Sequence, residues 1–197
     1  MFPIEIYGII ASFCDPKTRH FLCRIFGLPF NGIWVYKKGL DPKTRPNGIV
    51  LARDSNISKD AHPDILVDVG FVTDELTSVK YVKYNKINPI RGDMFPNLTT
   101  LICTPKNKEY TTFARFNVLK NLKIIYCINC NITISDDLIL EECYLENCKI
   151  GAVYFPQKIV TKSLYLKDTT LDSKVSIDYQ RKVHKEDYLD NFSILSL

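Results

Sequence analysis

The chain has 197 residues, 46% of them hydrophobic and 24% charged, and a formal net charge of +4 at pH 7. This composition is that of an ordinary globular protein and argues against wholesale disorder. The positive charge is small and is dispersed along the chain, so it argues against nucleic acid or a membrane surface as the partner.

The sequence predicts a protein of a reducing compartment. No segment approaches the roughly 20 continuous apolar residues of a membrane helix, and the N-terminal residues lack the basic region and long apolar run of an export signal. Seven cysteines in such a chain are expected to be free thiols. We expect the protein in the cytoplasm or nucleus. The chain is rich in Lys, Ile, Asn and Tyr, a composition bias that large DNA viruses share. If the protein is viral, its expected location is the host cytoplasm or the virion.

The N-terminal segment 1–26 has the pattern of two short amphipathic helices. Apolar side chains recur at intervals of three and four, which places them on one face of a helix. Asp15 is expected to cap a second helix that has Pro16 at its first position. The apolar faces consist of Ile6, Ile9, Ile10 and Phe13 in the first helix and of Phe21, Leu22, Ile25 and Phe26 in the second. Faces this wide need a partner or the rest of the chain to cover them.

This segment resembles the F-box, a module that docks a protein onto the Skp-type adaptor of a cullin–RING ubiquitin ligase. The resemblance rests on Phe2-Pro3, Glu5-Ile6, Ser12-Phe13 and Asp15-Pro16, and it is confined to the segment 1–40. Within it, the segment 32–36 stands in for the family's third helix and its tryptophan. The adaptor-binding residues that the resemblance implies are Pro3, Ile6, Ile9, Ile10, Phe13, Pro16 and Leu22. The alternative is a plain helical hairpin that caps the domain.

The middle of the chain offers two buried strands. Ile49-Val50-Leu51 and the stretch 65–69 are β-branched and apolar, and each follows a turn sequence. They are candidates for degenerate repeats that join the same sheet as the segments described next.

The C-terminal half contains an internal repeat. Its template has apolar residues at positions one, four, six and eleven and a small polar or thiol residue at position nine. Three copies follow it: Leu122-x-x-Ile125-x-Cys127-x-x-Cys130-x-Ile132, Leu140-x-x-Cys143-x-Leu145-x-x-Cys148-x-Ile150 and Thr161-x-x-Leu164-x-Leu166-x-x-Thr169-x-Leu171. Partial copies start at Leu98 and at Leu76. The pattern resembles the leucine-rich repeat.

The template predicts parallel stacked strands. Positions four and six share the inward face of a short strand, so their side chains form two buried columns. The small residue at nine is expected to hydrogen-bond the backbone of a bend. The interval from Leu122 to Leu140 is too short to hold a return helix, so an extended or 3₁₀ return is expected. A short helix is expected within 109–119, and the N-terminal helices and the stretch 178–192 are expected to cap the two ends.

The repeat also determines how the cysteines are interpreted. Cys127-x-x-Cys130 followed by Cys143 and Cys148 is a recognised spacing for zinc. However, all four fall on inward repeat positions, where cysteine serves as a small apolar filler. We therefore expect no metal and no cofactor.

No pattern of catalytic residues emerges. The three histidines, His20, His62 and His184, lie far apart in sequence and have no nucleophile motif beside them. In contrast, Tyr126, Tyr144 and Tyr165 all occupy position five, which points outward. We expect them to form an exposed ladder of tyrosines that binds a target protein. The alternative is that they stabilise the sheet as cross-strand pairs.

Together these features predict an α+β fold, with an N-terminal helical, F-box-like module followed by a small leucine-rich-repeat-like solenoid with a parallel sheet. The expected divisions are 1–40 for the F-box-like module, 41–75 for an irregular connection, 76–175 for the solenoid and 176–197 for a C-terminal cap. The expected function is a non-enzymatic adaptor that links an unknown target protein to a Skp/cullin ligase. The alternative is a structural or scaffolding protein of an assembly such as a large DNA virus particle.

Overall fold

The computed structural model describes residues 6, 10, 22, 25, 26, 32–35, 48–53, 62–67, 75–84, 92–105, 112–113 and 119–185. Its strands are β1 (Gly32–Val35), β2 (Gly48–Arg53), β3 (Ile65–Val67), β4 (Tyr81–Tyr84), β5 (Thr100–Cys103), β6 (Thr112–Phe113), β7 (Ile124–Ile128), β8 (Asn131–Ile134), β9 (Leu138–Glu146), β10 (Lys149–Ala152), β11 (Gln157–Lys167), β12 (Thr170–Leu171) and β13 (Val175–Lys182). A 3₁₀ turn spans Gly92–Met94. Across these ranges, no helix has the length and apolar character needed to traverse a bilayer.

The strands form two parallel sheets that wind into a β-solenoid. The larger sheet has nine strands in the order β1-β2-β3-β4-β5-β7-β9-β11-β13, and the smaller has four in the order β12-β10-β8-β6. Each strand of the smaller sheet follows one of the larger sheet along the chain, and from β5 onward the described strands alternate between the two sheets. All pairings are parallel, so every coil runs in the same direction as the one before it.

The last coils are more regular than the first ones. β9 and β11 are long strands of nine and eleven residues, and in β9 the buried positions change phase partway along, from Leu138 and Leu140 to Cys143 and Leu145. In earlier coils, a tight turn occupies the repeat positions that begin β9 and β11. In these turns Leu98 N donates to Phe95 O at 3.1 Å, and Leu122 N donates to Leu119 O at 3.0 Å. In the last described coils, long strands therefore take the place of this turn.

The predicted α+β fold class is wrong. The described residues form a parallel β-solenoid with no bounded helix, although the separate positions 6, 10, 22, 25 and 26 have helical backbone conformation. Gly32–Val35, which was expected to replace an F-box helix, is strand β1, in keeping with the strand preference of Ile33, Trp34 and Val35. Thr112–Phe113 is strand β6, within the stretch that was expected to be helical.

The leucine-rich-repeat interpretation fails at the return limb of each coil. In Asn131–Ile134 the buried residues Ile132 and Ile134 alternate with half-buried polar ones, and this period of two makes a strand. Consecutive return strands then pair with one another, as in Gly151 with Thr133. The expected extended return is correct, but it forms a second sheet rather than an irregular outer edge.

The predicted columns form the core. Neighbouring strands align Leu101 with Ile125, Ile125 with Cys143 and Cys143 with Leu164. The position-six residues align in the same way, and almost all of these side chains are buried. The strands predicted in the middle of the chain, β2 and β3, join the same sheet.

The faint copy at Leu76 was placed in the wrong register. Val82 is the partner of Leu101, so position four of this copy is Val82 rather than Val79, a shift of three positions. Leu76, Val79 and Val82 are all buried and are spaced three residues apart. Because of this regular spacing, the template fits whether the copy starts at Leu76 or at Val79.

Candidate functional site

Position nine of each repeat ties one coil to the one before it. The thiol of Cys130 donates to Ile128 O at 3.1 Å and to Cys103 O at 3.5 Å. The thiol of Cys148 makes the same pair of contacts, to Glu146 O at 3.3 Å and Cys127 O at 3.4 Å. The expected hydrogen bond between position nine and the bend is therefore present.

The residue before position nine turns the chain from the larger sheet to the smaller one. Asn129, Asn147 and Asp168 have positive φ angles of 57°, 51° and 48°, and Asn and Asp tolerate this conformation better than other non-glycine residues do. The side chains of the two asparagines are joined, with Asn147 Nδ2 donating to Asn129 Oδ1 at 2.6 Å. This corner has a structural role.

The cysteines of the described region are buried, free thiols. Burial raises the pKa of the Cys127 thiol to about 11, and it also raises the pKa of Cys143. Within the residues that the structure describes, no group of three or more His, Cys, Asp or Glu side chains is arranged to hold a metal ion. The thiols act as core filler and as hydrogen-bond donors.

The three position-five tyrosines form a stack on the outward face of the larger sheet. Tyr126, Tyr144 and Tyr165 are aligned partners on β7, β9 and β11. The ring centroids of Tyr126 and Tyr144 are 4.0 Å apart, and those of Tyr144 and Tyr165 are 4.3 Å apart. The predicted ladder therefore exists, with its rings nearly parallel.

The stack is not exposed, and that part of the prediction is wrong. Tyr144 is completely buried and Tyr126 nearly so, within a second apolar cluster that also contains Ile65, Val67 and Ile102. Val183, which follows β13, packs against this cluster. The alternation along the strand correctly predicted that these tyrosines face away from the core. It gave no information about which residues cover that face. The role of the tyrosines in target binding stays a prediction.

Glu146 connects the tyrosine stack to two lysines. Its Oε2 accepts hydrogen bonds from the Tyr144 hydroxyl at 2.5 Å and from Lys185 Nζ at 3.1 Å. Lys167 Nζ reaches Oε1 at 3.4 Å. The Tyr144 hydrogen bond, followed by those of the two lysines, lowers the pKa of the Glu146 carboxyl. Burial and the hydrogen bond to Glu146 raise the pKa of Tyr144.

The predicted adaptor-binding residues are described only in part. Ile6 and Ile10 are exposed and Leu22 is half-buried, while Pro3, Ile9, Phe13 and Pro16 lie outside the described residues. The three described residues are not shown to form one surface.

An exposed apolar corner was missed by the sequence interpretation. Tyr154 and Phe155 lie between β10 and β11, and both are largely exposed, next to the exposed Val153. Ile139 and Val160, aligned partners on β9 and β11, are exposed as well. The sequence signal for this corner was the run Val153-Tyr154-Phe155 between two strands. Three consecutive apolar residues break the alternation of inward and outward positions, and none of them adds an inward-facing residue.

The histidines offer no catalytic arrangement in the described region. His62 and His184 are exposed and separated by most of the sheet, and His20 lies outside the described residues. No protein-family model, no curated protein and no solved structure matches this chain.

Proposed function

We propose that this chain is a non-enzymatic protein-interaction protein. The observation that carries the proposal is a set of large apolar side chains left exposed on a well-packed solenoid. Ile139 is 79% exposed, Tyr154 78% and Phe155 74%. Exposed apolar groups that cluster on a folded surface typically mark a site where another protein docks.

The first partner we propose is the Skp-type adaptor of a cullin–RING ubiquitin ligase. Support comes from the F-box-like residues at the start of the chain and from the exposure of Ile6 and Ile10, two of the implied adaptor-binding residues. Ile25, in the second F-box-like stretch, is exposed as well. We propose only that these side chains contact the adaptor, without the helical fold that was first expected around them. In this role the rest of the chain selects an unknown target.

Calorimetry with a purified Skp-type adaptor tests this role. The Ile10→Glu variant should weaken binding by at least about 30-fold, because a charge in a desolvated apolar contact costs about 2 kcal/mol or more. Leu171→Glu is the matched control, since it places the same charge on an exposed aliphatic side chain of strand β12, and it should bind like the wild type. Absence of binding by the wild-type chain refutes the adaptor role.

The second candidate is a structural or scaffolding protein of an assembly, such as a large DNA virus particle. It is favoured by the position of Tyr154 and Phe155 on the solenoid itself, at a corner that a neighbouring subunit can reach. Sedimentation of the wild-type chain should then show concentration-dependent association that Tyr154→Ser with Phe155→Ser abolishes. Tyr179→Ser, which changes an exposed tyrosine of β13, should leave association unchanged. A chain that stays monomeric at all concentrations rules out self-assembly.

For the adaptor role we propose a reducing compartment, the cytoplasm or the nucleus, and for a viral scaffold the host cytoplasm or the virion. The support is chemical, since the described cysteines are free and disulfides are rare in these compartments.

A further inference from the structure

Two adjacent rows of polar side chains run across the neighbouring strands β9, β11 and β13. Glu142 of β9 is aligned with Ser163 of β11, and Ser163 with Arg181 of β13. The residues that precede them form the second row, namely Glu141, Lys162 and Gln180. These six side chains line a cavity of about 420 Å³. That volume falls within the roughly 300–1,000 Å³ of small-molecule sites.

Hydrogen bonds of Thr161 and Arg181 fix the strand backbone and Ser163 at this cavity. The buried Thr161 donates from Oγ1 to Ser163 O at 3.0 Å and approaches Glu141 O at 3.4 Å. Arg181 Nε donates to the Oγ of Ser163 at 2.8 Å, and Ser163 itself is only 5% exposed. Within the described part of the chain the guanidinium is anchored at one nitrogen, so its other four N–H groups can donate to a ligand.

The charges of the cavity are separated by sign. Both carboxylates stand on β9, while the cations Lys162 and Arg181 stand on β11 and β13. Glu141 is already paired, since Lys123 Nζ lies 3.3 Å from its Oε1. In contrast, Glu142 Oε2 is shielded from solvent and has no hydrogen-bond partner within the described part of the chain. A shielded carboxylate oxygen without a donor is costly, so this position favours a ligand that brings a cationic group close to the Glu142 carboxylate.

We propose that this cavity binds a small zwitterion of the size of a short peptide. The ligand's ammonium group donates to Glu142, and its carboxylate is held by the guanidinium of Arg181 with Lys162 beside it. Adjacent strands are about 4.8 Å apart, so the backbones that carry Glu142 and Arg181 are separated by roughly 10 Å. This separation fits the charges of a di- or tripeptide better than those of a single amino acid. The site is distinct from the exposed apolar corner and does not depend on the protein-interaction role.

Titration calorimetry of the full chain with triglycine tests the proposal. Triglycine amide lacks the carboxylate and N-acetyl-triglycine lacks the ammonium group, so each should bind at least tenfold more weakly than triglycine. Glu142→Gln and Arg181→Gln should each weaken triglycine binding at least tenfold. Arg181→Lys keeps the charge without the fork-shaped donor set, so it should give an intermediate loss. Glu75→Gln and Lys174→Gln remove exposed charges elsewhere and serve as matched controls.

Thermal unfolding of each variant establishes that it is folded before binding is compared. The proposal is overturned if wild-type protein does not bind triglycine, since water alone then occupies the cavity. It is also overturned if triglycine amide binds as well as triglycine, which would indicate a plain cation site. Unchanged affinity in folded Glu142→Gln and Arg181→Gln would place any bound peptide elsewhere.

Discussion

At the scale of single residues, position nine shows how one small donor fixes a bend. Thr169 takes the place of Cys130 and Cys148 in the last repeat, and its hydroxyl approaches Lys167 O at 2.9 Å and Leu145 O at 3.3 Å. It also accepts a hydrogen bond from Cys148 N at 3.2 Å. Thiol and hydroxyl therefore make equivalent hydrogen bonds, so Thr169 can replace the cysteine of the two preceding copies.

We expect Thr169→Val to destabilise the protein by about 1–2 kcal/mol, because it removes the hydroxyl and leaves Cys148 N without its acceptor. Thr170→Val is the matched control, since Thr170 is an adjacent, exposed threonine of strand β12. It should change stability by no more than about 0.5 kcal/mol. Chemical denaturation of both variants measures the difference, and equal losses would show that the position-nine hydroxyl contributes nothing.

Glu146 predicts a pH dependence of stability. Its pKa is lower in the folded protein than the ordinary glutamate value, so the ionised carboxylate stabilises the fold at pH values above about 4.3. This contribution is lost as the pH falls through the folded pKa. Glu146→Gln should therefore be less stable than the wild type at pH 7, and the difference should shrink in acid. Denaturation curves between pH 7 and pH 3 test this.

Tyr144→Phe is the control for the origin of this effect. The Tyr144 hydroxyl is the largest cause of the lowered Glu146 pKa, so in this variant a carboxyl titration by NMR should return the pKa of Glu146 toward its ordinary value. An unchanged titration curve would assign the effect to Lys167 and Lys185 instead.

At the scale of elements, the sequence determined the strands of the larger sheet well. The spacing of Ile125 and Cys127, and of their counterparts in the next two repeats, predicted strands whose inward residues stack in register. The short return strands were not predicted as a sheet. In a strand such as Asn131–Ile134 only two residues point inward, and two apolar side chains do not distinguish a strand from an extended loop.

The tyrosine stack shows a second limit of the sequence. Outward and inward faces follow from the period of two, but the burial of an outward face depends on residues far along the chain. Val183 packs on the stack although it comes a full coil after Tyr165 in the chain. No local pattern at Tyr126, Tyr144 or Tyr165 contains that information, so the surface was predicted to be exposed.

Burial changes what a tyrosine substitution is expected to do. Tyr144→Ala should destabilise the protein by about 3–5 kcal/mol, as truncation of a large buried aromatic side chain does. Tyr154→Ala, at an exposed tyrosine, should cost no more than about 0.5 kcal/mol. Thermal or denaturant unfolding of the two variants compares them directly. A Tyr144→Ala protein as stable as the wild type would mean that the outward face of the sheet is open after all.

At the scale of the whole molecule, a solenoid gains its stability from contacts between neighbouring coils. The described coils differ in length, since the chain from Cys143 to its partner Leu164 is longer than the chain from Ile124 to its partner Glu142. The register is nevertheless kept, because additional residues are accommodated between the strands. Both the exposed corner and the charged cavity lie on the coils that contain the long strands β9 and β11.

The register of the second sheet is the central claim, and a disulfide tests it most directly. Thr133 and Gly151 are aligned partners on β8 and β10, and a side chain added at Gly151 meets no other atom within 4 Å. Parallel neighbours about 4.8 Å apart meet the Cα separation that a disulfide needs, which is within about 7 Å, and the open space around position 151 lets the two side chains adjust toward each other. The double variant Thr133→Cys, Gly151→Cys should therefore oxidise to an intramolecular disulfide in the native state.

The control is Thr133→Cys with Lys149→Cys, which uses the same two strands and the same face. Lys149 is aligned with Asn131, so its Cα lies roughly 8 Å from that of Thr133. Mass spectrometry after mild oxidation should find the disulfide in the first variant and free thiols in the control. Equal cross-linking of both pairs, or cross-linking of the control alone, would contradict the parallel, in-register solenoid.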